Sequence, residues 1–512
     1  MKITVSKLVF SLFLFSSIVL FSCDSPKVKV KDKKQPNILW IFAEDLSPFM
    51  GCYGDSINKN ATPVIDKLAS EGVLFKRAYT TAPVCSASRS ALITGVMQTT
   101  TGTHNHRSSR TTDGEIVPEK LRINLPKEMK TVPELMRRAG YFTFNSGKDD
   151  YNFHYDRNAL YDVGSDDNYK VGMNGWQGNK AKYSKSITKN TWNARKDKNQ
   201  PWFGQIQIDG GKAHAKFVRK GEELAANDVP IPPYFPDIPS HRSAWTDHFN
   251  ANRGADVNVE TIVNQLKEDG ELENTIIFFF SDHGSPTSLR HKQFCYEGGM
   301  LVPLIIKGDH PLLKSGSVRT DLVSLLDVAK TTLVMGKAEL PTYLDGQDLF
   351  AASYKEQNYV IGARDRCDFT IDKIRTVVSK EYRYIKNYFP ERPMMQAGYR
   401  DKKPIVKDFK KAFKEKKLTK YQEEHWFGER PHEELYNLKD DPHQIDNLAK
   451  KPEYADILLE HRTVLQNWIK ETGDKGQSPE HSVQLKATYN LWKDRSQFKN
   501  ATVNPEYKKF ME

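Results

Sequence analysis

Apolar residues in this chain come as short unbroken runs, set apart by polar stretches that glycine and proline punctuate. Asn37-Ile38-Leu39-Trp40-Ile41-Phe42-Ala43 and Thr275-Ile276-Ile277-Phe278-Phe279-Phe280-Ser281 are continuous rather than alternating, as in parallel strands buried on both faces. Residues 141–145, Trp202–Ile208 and 302–306 read as further strands. Helices interleave with them. Thr62-Pro63 opens one that runs through Glu71, with Thr62 as N-cap, Pro63 at the first position and Gly72 as the stop. A second lies near 133–139 and ends at Gly140. A third carries Val257, Val259, Ile262, Val263 and Leu266 on one face and ends at Gly270. Residues 321–334 form a fourth, and the proline-rich 230–239 is an extended connector. Strands alternating with helices predict an α/β fold with a mostly parallel central sheet flanked by helices.

After about residue 355 the pattern changes. Residues 374–379 and 382–388 read as an antiparallel hairpin turning at Lys380-Glu381, 402–424 as a lysine-rich helix with a solvated surface, and 434–438 as a short strand. We therefore expect a catalytic domain over 36–354 and a smaller C-terminal α+β domain with an antiparallel sheet over 355–512. Residues 164–199 are rich in Gly, Asn, Ser and Lys with little periodicity and read as an excursion or lid.

The N-terminus is a targeting segment. Lys2 and Lys7 precede an apolar stretch over 8–21 that is short for a membrane span, followed by Ser22-Cys23. This predicts a lipoprotein-type signal peptide over 1–22, lipidation of Cys23, a polar tether over 23–35 and an exported, membrane-anchored product. A plain cleaved signal peptide is the alternative. The net charge of +11 suits polyanions in general. No zinc-finger, RRM-like or helix-turn-helix pattern accompanies it, so nucleic acid is not an expected partner. Five cysteines with irregular spacing describe neither a disulfide framework nor a zinc site.

Candidate chemistry sits at strand ends. Glu44-Asp45 follows the first buried run and Asp282-His283-Gly284 follows the second, where open α/β sheets place their ligand sites. Repeated acid-tipped strands favour metal binding over solvated loop starts. Cys85 lies among small residues, with Arg89 four positions on and an apolar helix-like run beyond. There it is either a small buried thiol or a reactive group at a helix N-terminus, where the dipole favours an anion. Lys148 follows a strand, where it binds an anion or is simply solvated. His104 and His106 lie in a Gly-Thr-His-Asn-His-Arg loop and suit substrate contact or a polar surface equally. Arg364 and Arg366 either grip a carboxylate or sulfate or make a structural ion pair.

Together these segments resemble the type I formylglycine-dependent sulfatases of the alkaline-phosphatase superfamily. The resemblance rests on residues 36–45, Cys85-Ser86-Ala87-Ser88-Arg89 through Gly95, Gly147-Lys148, Ser281-Asp282-His283-Gly284, Lys292 with Tyr296-Glu297-Gly298-Gly299, and Leu435-Tyr436-Asn437-Leu438. It implies an alkaline-phosphatase-like large domain. A maturation enzyme would oxidise Cys85 to 3-oxoalanine (formylglycine), whose hydrate attacks sulfur. One Ca²⁺ would be held by Glu44, Asp45, Cys85, Asp282 and His283. Arg89 would steady the hydrate, and Lys148 and Lys292 would neutralise sulfate oxygens. His214 is the first choice to protonate the leaving alcohol, with Lys212 and His104 as rivals. Departures from the family pattern are Ala87 for proline, Glu44 for aspartate, His283 for asparagine and Asp150 where relatives carry histidine. The Gly-Lys-Asp-Asp-Tyr and Ala363-Arg364-Asp365-Arg366 patterns are similar to polysaccharide sulfatases of marine Bacteroidota. They imply a sulfated polysaccharide or oligosaccharide as partner, with ulvan leading. A phosphate or phosphonate ester hydrolase of the same superfamily and a non-catalytic glycan-binding protein are the competing expectations.

Overall fold

The larger sheet is assembled around β1 (Asn37–Ala43). In the computed structural model the described residues are 34–108, 118–163, 191–286, 289–499 and 504–511. The expected export segment, Cys23 and residues 164–190 of the expected excursion lie outside them, as does the side chain of His214. With β2 (Val73–Tyr79), β3 (Phe142–Ser146), β4 (Trp202–Ile208), β5 (Thr275–Ser281), β6 (Leu301–Lys307), β7 (Ser317–Arg319) and β8 (Val323–Ser324), β1 forms an eight-stranded sheet. Its order is β3-β4-β1-β5-β6-β2-β7, with β8 also on β2. The β3/β4, β4/β1 and β1/β5 pairs are parallel, whereas β6 runs antiparallel to both β5 and β2. The sheet is thus mixed and mostly parallel, flanked by helices.

The unbroken apolar runs are explained by burial on both faces. Ile38, Trp40 and Phe42 pack with Ile276, Phe278 and Phe280 in one cluster. Leu39, Ile41 and Ala43 pack with Ile277 and Phe279 in another. Successive side chains on a strand point to opposite faces, so a layer of helices on each side requires apolar residues at every position. The 30-residue helix Pro239–Glu268 covers the second face with Ala251, Ala255, Val259, Ile262 and Leu266.

The second sheet consists of β9 (Val360–Arg364), β10 (Ile374–Val378), β11 (Tyr382–Asn387) and β12 (Glu433–Asn437), antiparallel throughout in the order β12-β11-β10-β9. Gln35–Glu512 is one compact unit. Tyr79, Trp245 and Met300 share a hydrophobic cluster with Ile374, Ile385 and Tyr436, so the division expected near 354 separates two sheets over a common core.

Three local expectations change. Residues 321–324 are not helical: β8 is extended, and the helix Leu325–Met335 begins at a Ser324 capping box. The stretch 402–424 is two helices, Pro404–Lys414 and Lys420–Phe427, and the first buries Ile405, Val406, Phe409 and Ala412 instead of lying solvated. The helix Pro63–Glu71 receives no side-chain cap from Thr62. Asp256 of the long helix supplies one, accepting from the backbone N–H of Val64 at 2.9 Å and Ile65 at 2.8 Å.

Candidate active site

Strand register brings the site together. Ala43 is level with Ile208 on one side and Ser281 on the other. Glu44-Asp45, Asp209-Gly210-Gly211 and Asp282-His283 therefore leave the sheet side by side. A Cβ at Gly210 would lie 2.3 Å from the Glu44 carbonyl oxygen, and one at Gly211 would lie 1.9 Å from that of Asp45. Only glycine permits this approach. Asp45 has left-handed backbone geometry, φ 58°, and its N–H donates to Asp282 Oδ1 at 2.9 Å. The two acid-bearing strand ends are thereby joined directly.

Cys85 begins the helix Cys85–Thr94, every residue of which is buried. Its Sγ lies 3.1 Å from Lys292 Nζ, 3.2 Å from His283 Nε2, 3.5 Å from Asp45 Oδ1 and 3.9 Å from Glu44 Oε1. One turn on, Arg89 Nε donates to Asp282 Oδ2 at 3.1 Å. Its Nη1 reaches the Lys148 carbonyl and Gln207 Oε1, each at 3.0 Å, while the guanidinium stacks 4.1 Å from the Phe42 ring centroid. The four-residue Cys–Arg spacing places both side chains on one helix face.

Three lysines surround the two strand-end acids. Lys148 Nζ lies 2.6 Å from Glu44 Oε1 and 2.9 Å from Asp150 Oδ2. Lys212 pairs with Glu44 and lies 3.5 Å from Asp45, and Lys292 lies 2.8 Å from Asp45 Oδ2. Burial opposes ionisation of Glu44, but Lys148, Lys212, Arg89 and Lys292 outweigh it and hold the carboxyl well below its ordinary range. Burial likewise resists the charge on Asp45, and Lys212, Lys292 and His283 overcome it. For the Cys85 thiol, burial and Asp45 push upward, while Lys148, Lys292 and His283 bring the net shift below the usual thiol value.

Four side chains here could hold a metal ion. Asp45, Cys85, Asp282 and His283 each present a ligand atom, all within 4.8 Å of one another. Glu44 Oε2 is buried without a hydrogen-bond partner among the described residues, an oxygen that a bound ion would satisfy. His283 Nδ1 lies 2.8 Å from the Gly284 carbonyl. A carbonyl only accepts, so Nδ1 carries the proton and a neutral ring leaves the Nε2 lone pair facing the cluster.

Above the cluster opens a cavity of about 340 Å³ lined by Asp45, His106, Arg107, Lys212, Lys292 and Asp368, with Tyr399, Lys403, Trp492 and Arg495 from beyond residue 355. A larger cleft of about 810 Å³ beside Lys59, Arg219 and Arg253 contains none of the cluster residues.

The structure brings together Glu44, Asp45, Cys85, Arg89, Lys148, Asp282, His283 and Lys292. His106 lines the cavity, 3.3 Å from Asp368. His104 is buried and does not line it. Arg364 and Arg366, which suited either a substrate grip or a structural ion pair, each pair with a carboxylate of the chain. Arg364 binds Asp372 at 2.9 Å, and Arg366 pairs with Glu480 and also donates to the His106 and Asp368 carbonyls. Both guanidinium groups thus pair with carboxylates of the chain, although Arg364 Nε has no partner among the described residues, and neither residue lines the cavity. His214 opens the turn His214–Phe217.

Arg107, from the same loop as the candidate histidines, makes a pairing that sequence reasoning missed: it binds Asp150 through Nε at 2.8 Å and Nη2 at 2.7 Å. The departure to Asp150 could have revealed it, since a buried carboxylate there needs a cation. The wall formed by Tyr399, Lys403, Trp492 and Arg495 left no spacing to find.

Comparison with known proteins agrees with this arrangement. The family model described as Sulfatase matches residues 36–335. The chain is 31% identical to an ulvan-active sulfatase of Formosa agariphila, over 92% of this chain and 83% of that protein. The chain belongs to the sulfatase family. It is accordingly a sulfuric ester hydrolase. This sulfatase is also 25% identical to human N-sulphoglucosamine sulphohydrolase, over 86% of its length and 90% of the relative's. Among solved structures, one described as a 2-O GAG sulfatase superposes on it with a TM-score of 0.60 at 20% identity, covering 87% of this chain and 94% of the other. At that identity the likeness concerns the fold. No helix among the described residues is long and apolar enough to cross a membrane.

Proposed function

We propose that this sulfatase removes sulfate from a sulfated polysaccharide or oligosaccharide, with ulvan the leading substrate, after Cys85 has been converted to 3-oxoalanine by a maturation enzyme. The observation that carries the reading is the convergence of buried Cys85 with Asp45, Asp282 and His283, ringed by lysines. A binding protein has no need of such a cluster, and a buried structural cysteine has no need of a histidine and a lysine within 3.2 Å. The ulvan assignment is supported by the Formosa agariphila relative, which is named for it.

Glu44, Asp45, Asp282 and His283 would hold one Ca²⁺, with residue 85 beside them. The bound ion would supply charge for a sulfate oxygen and lower the pKa of the attacking hydroxyl. As a hydrated aldehyde, residue 85 would supply one hydroxyl for attack on sulfur and a second to release the bound sulfate. The remaining roles fall to this chain's own side chains. Lys292 and Lys148 orient sulfate oxygens and offset the charge that builds on them during transfer. Arg89 fixes Asp282, and Asp150 with Arg107 holds Lys148 in place. The departing alcohol needs a proton donor within hydrogen-bond reach. We assign that role to His214, with Lys212, whose Nζ already stands at Glu44, as the alternative. Export and anchoring through Cys23 complete the proposal and suit a polymeric substrate outside the cytoplasm.

The test is turnover and peptide mass on protein from a host with the maturation enzyme. We expect release of sulfate from sulfated oligosaccharides and from an aryl sulfate, with much slower cleavage of the aryl phosphate. The Cys85 peptide should be lighter than its cysteine form by about 18 Da, the difference between the two side chains. Cys85→Ala should be folded and inactive. An active preparation with an unshifted cysteine peptide would refute the mechanism, and dominant phosphatase turnover would refute the reaction.

A further inference from the structure

The active-site cavity carries more positive charge than the sulfate chemistry employs. Of the cations lining it, Arg107 is held by Asp150, and Lys212 and Lys292 are held by Glu44 and Asp45. Lys403 and Arg495 differ. Neither makes an ion pair or hydrogen bond to a carboxylate among the described residues, although both line the cavity. They come from separate segments beyond residue 355. Lys403 immediately precedes the helix Pro404–Lys414, and Arg495 follows the helix Ser482–Trp492. Aromatic surfaces accompany them, with the Arg495 guanidinium 4.5 Å from the Trp492 ring centroid and Tyr399 four residues before Lys403 on the same wall.

Lys403 is half-buried, and its charge is held at some cost. Burial, then Arg400 and Lys292, bring its pKa down to about 8. Asp45 acts in the opposite direction without prevailing, so an ammonium kept beside other cations, with no carboxylate paired to it directly among the described residues, is poorly compensated within the chain itself. An anion from outside would remove that penalty. An extended lysine side chain facing bulk water would have no such need.

Resting on the sulfatase reading above, we infer that Lys403 and Arg495 form a second anion site in the cavity. It would select a saccharide that carries, besides the sulfate to be cleaved, another carboxylate or sulfate group, with Tyr399 and Trp492 bordering the sugar. The chemistry common to the two sources is a planar or tetrahedral oxyanion reachable by one ammonium and one guanidinium. Specificity would then come from the C-terminal part of the chain, while the reaction centre comes from the larger sheet.

The experiment compares the full-length matured wild type with Lys403→Ala/Arg495→Ala. Four probes are used: a monosulfated disaccharide bearing one uronate, its uronate methyl ester, a disulfated disaccharide without a carboxylate, and an aryl sulfate. Loss of charged contacts should lower kcat/KM on the uronate or disulfated probe by about tenfold to a hundredfold, mainly through KM. The fall on the methyl ester and the aryl sulfate should be at least about tenfold smaller. Which of the two dianionic probes responds identifies the second group. An equal fall on all four probes, or none on either dianionic one, overturns the inference while leaving sulfatase activity established in the wild type. Calorimetric binding of the same disaccharides to the unmatured Cys85 protein gives a readout independent of turnover. Weaker binding of a dianionic probe to the double variant supports the site, and unchanged binding overturns it. Wild-type protein without turnover on any sulfate would count against the reaction alone.

Discussion

Arg89 shows how one side chain serves both the fold and the site. It is almost wholly buried, as is Asp282, so its removal leaves a carboxylate without its cation in low dielectric. Breaking a buried pair in this way costs about 3–5 kcal/mol. We expect Arg89→Ala to lower the denaturant midpoint by that order and to abolish turnover. Arg89→Lys should recover part of the stability, because an ammonium still offsets the charge while losing the contacts to Lys148 and Gln207. A variant as stable as wild type would show that Arg89 does not compensate Asp282. The spacing of Cys85 and Arg89 was legible in the sequence because four residues make one helical turn. The partner of Arg89 was not, because Asp282 lies 193 positions away.

At the scale of elements, side chains from distant segments finish what local sequence begins. The helix Pro63–Glu71 starts with proline, which lacks an N–H, and the next two N–H groups are taken by Asp256. Asp256→Ala should therefore cost about 1–2 kcal/mol through loss of the cap, read as a lower thermal midpoint with activity on aryl sulfate retained. An unchanged midpoint would mean that Thr62 suffices. Just before β10 of the second sheet, Asp372 accepts from Arg430 at 2.9 and 3.0 Å and from Arg364 at 2.9 Å. Burial raises the pKa of Asp372, but Arg430 and Arg364 prevail and its net shift is downward. A depressed carboxyl pKa stabilises the fold above the unfolded value of about 3.9, and that contribution disappears as pH falls through the folded value. The Tm difference between wild type and Asp372→Asn should thus be largest near neutrality and shrink below about pH 4. A difference that grows in acid would contradict the sign.

For the whole molecule, the reaction centre and its surroundings come from different parts of one compact unit. Carboxylates and lysines from β1, β3, β4 and β5 ends meet beneath a wall supplied after residue 355, and a hydrophobic cluster shared by both sheets holds the two in register. If the acid cluster holds Ca²⁺ as proposed, the ion binds the folded state alone and stabilises it by mass action, about 2.7 kcal/mol at a hundredfold excess over Kd. Calcium should raise the thermal midpoint, chelation should lower it, and Asp282→Asn should abolish the response. A midpoint indifferent to both treatments would remove the ion from the proposal.

Buried parallel strands must be apolar along their whole length. For that reason the sequence by itself determined β1 and β5, the acid-bearing residues at their ends and the α/β class. The Cys85 helix was likewise legible from its small residues and the spacing to Arg89. Sheet order, the antiparallel insertion of β6 and the extended 321–324 segment depended on pairing between distant strands, which local periodicity does not encode. So did the fate of the arginines and lysines. Arg364 and Arg366 suited substrate or a structural ion pair equally and lie against carboxylates of the chain, whereas Lys403 resembled one more solvated lysine but faces the cavity. A charged side chain carries no local record of its partner, and only the tertiary structure decided which cations were neutralised within the chain and which were left facing the cavity.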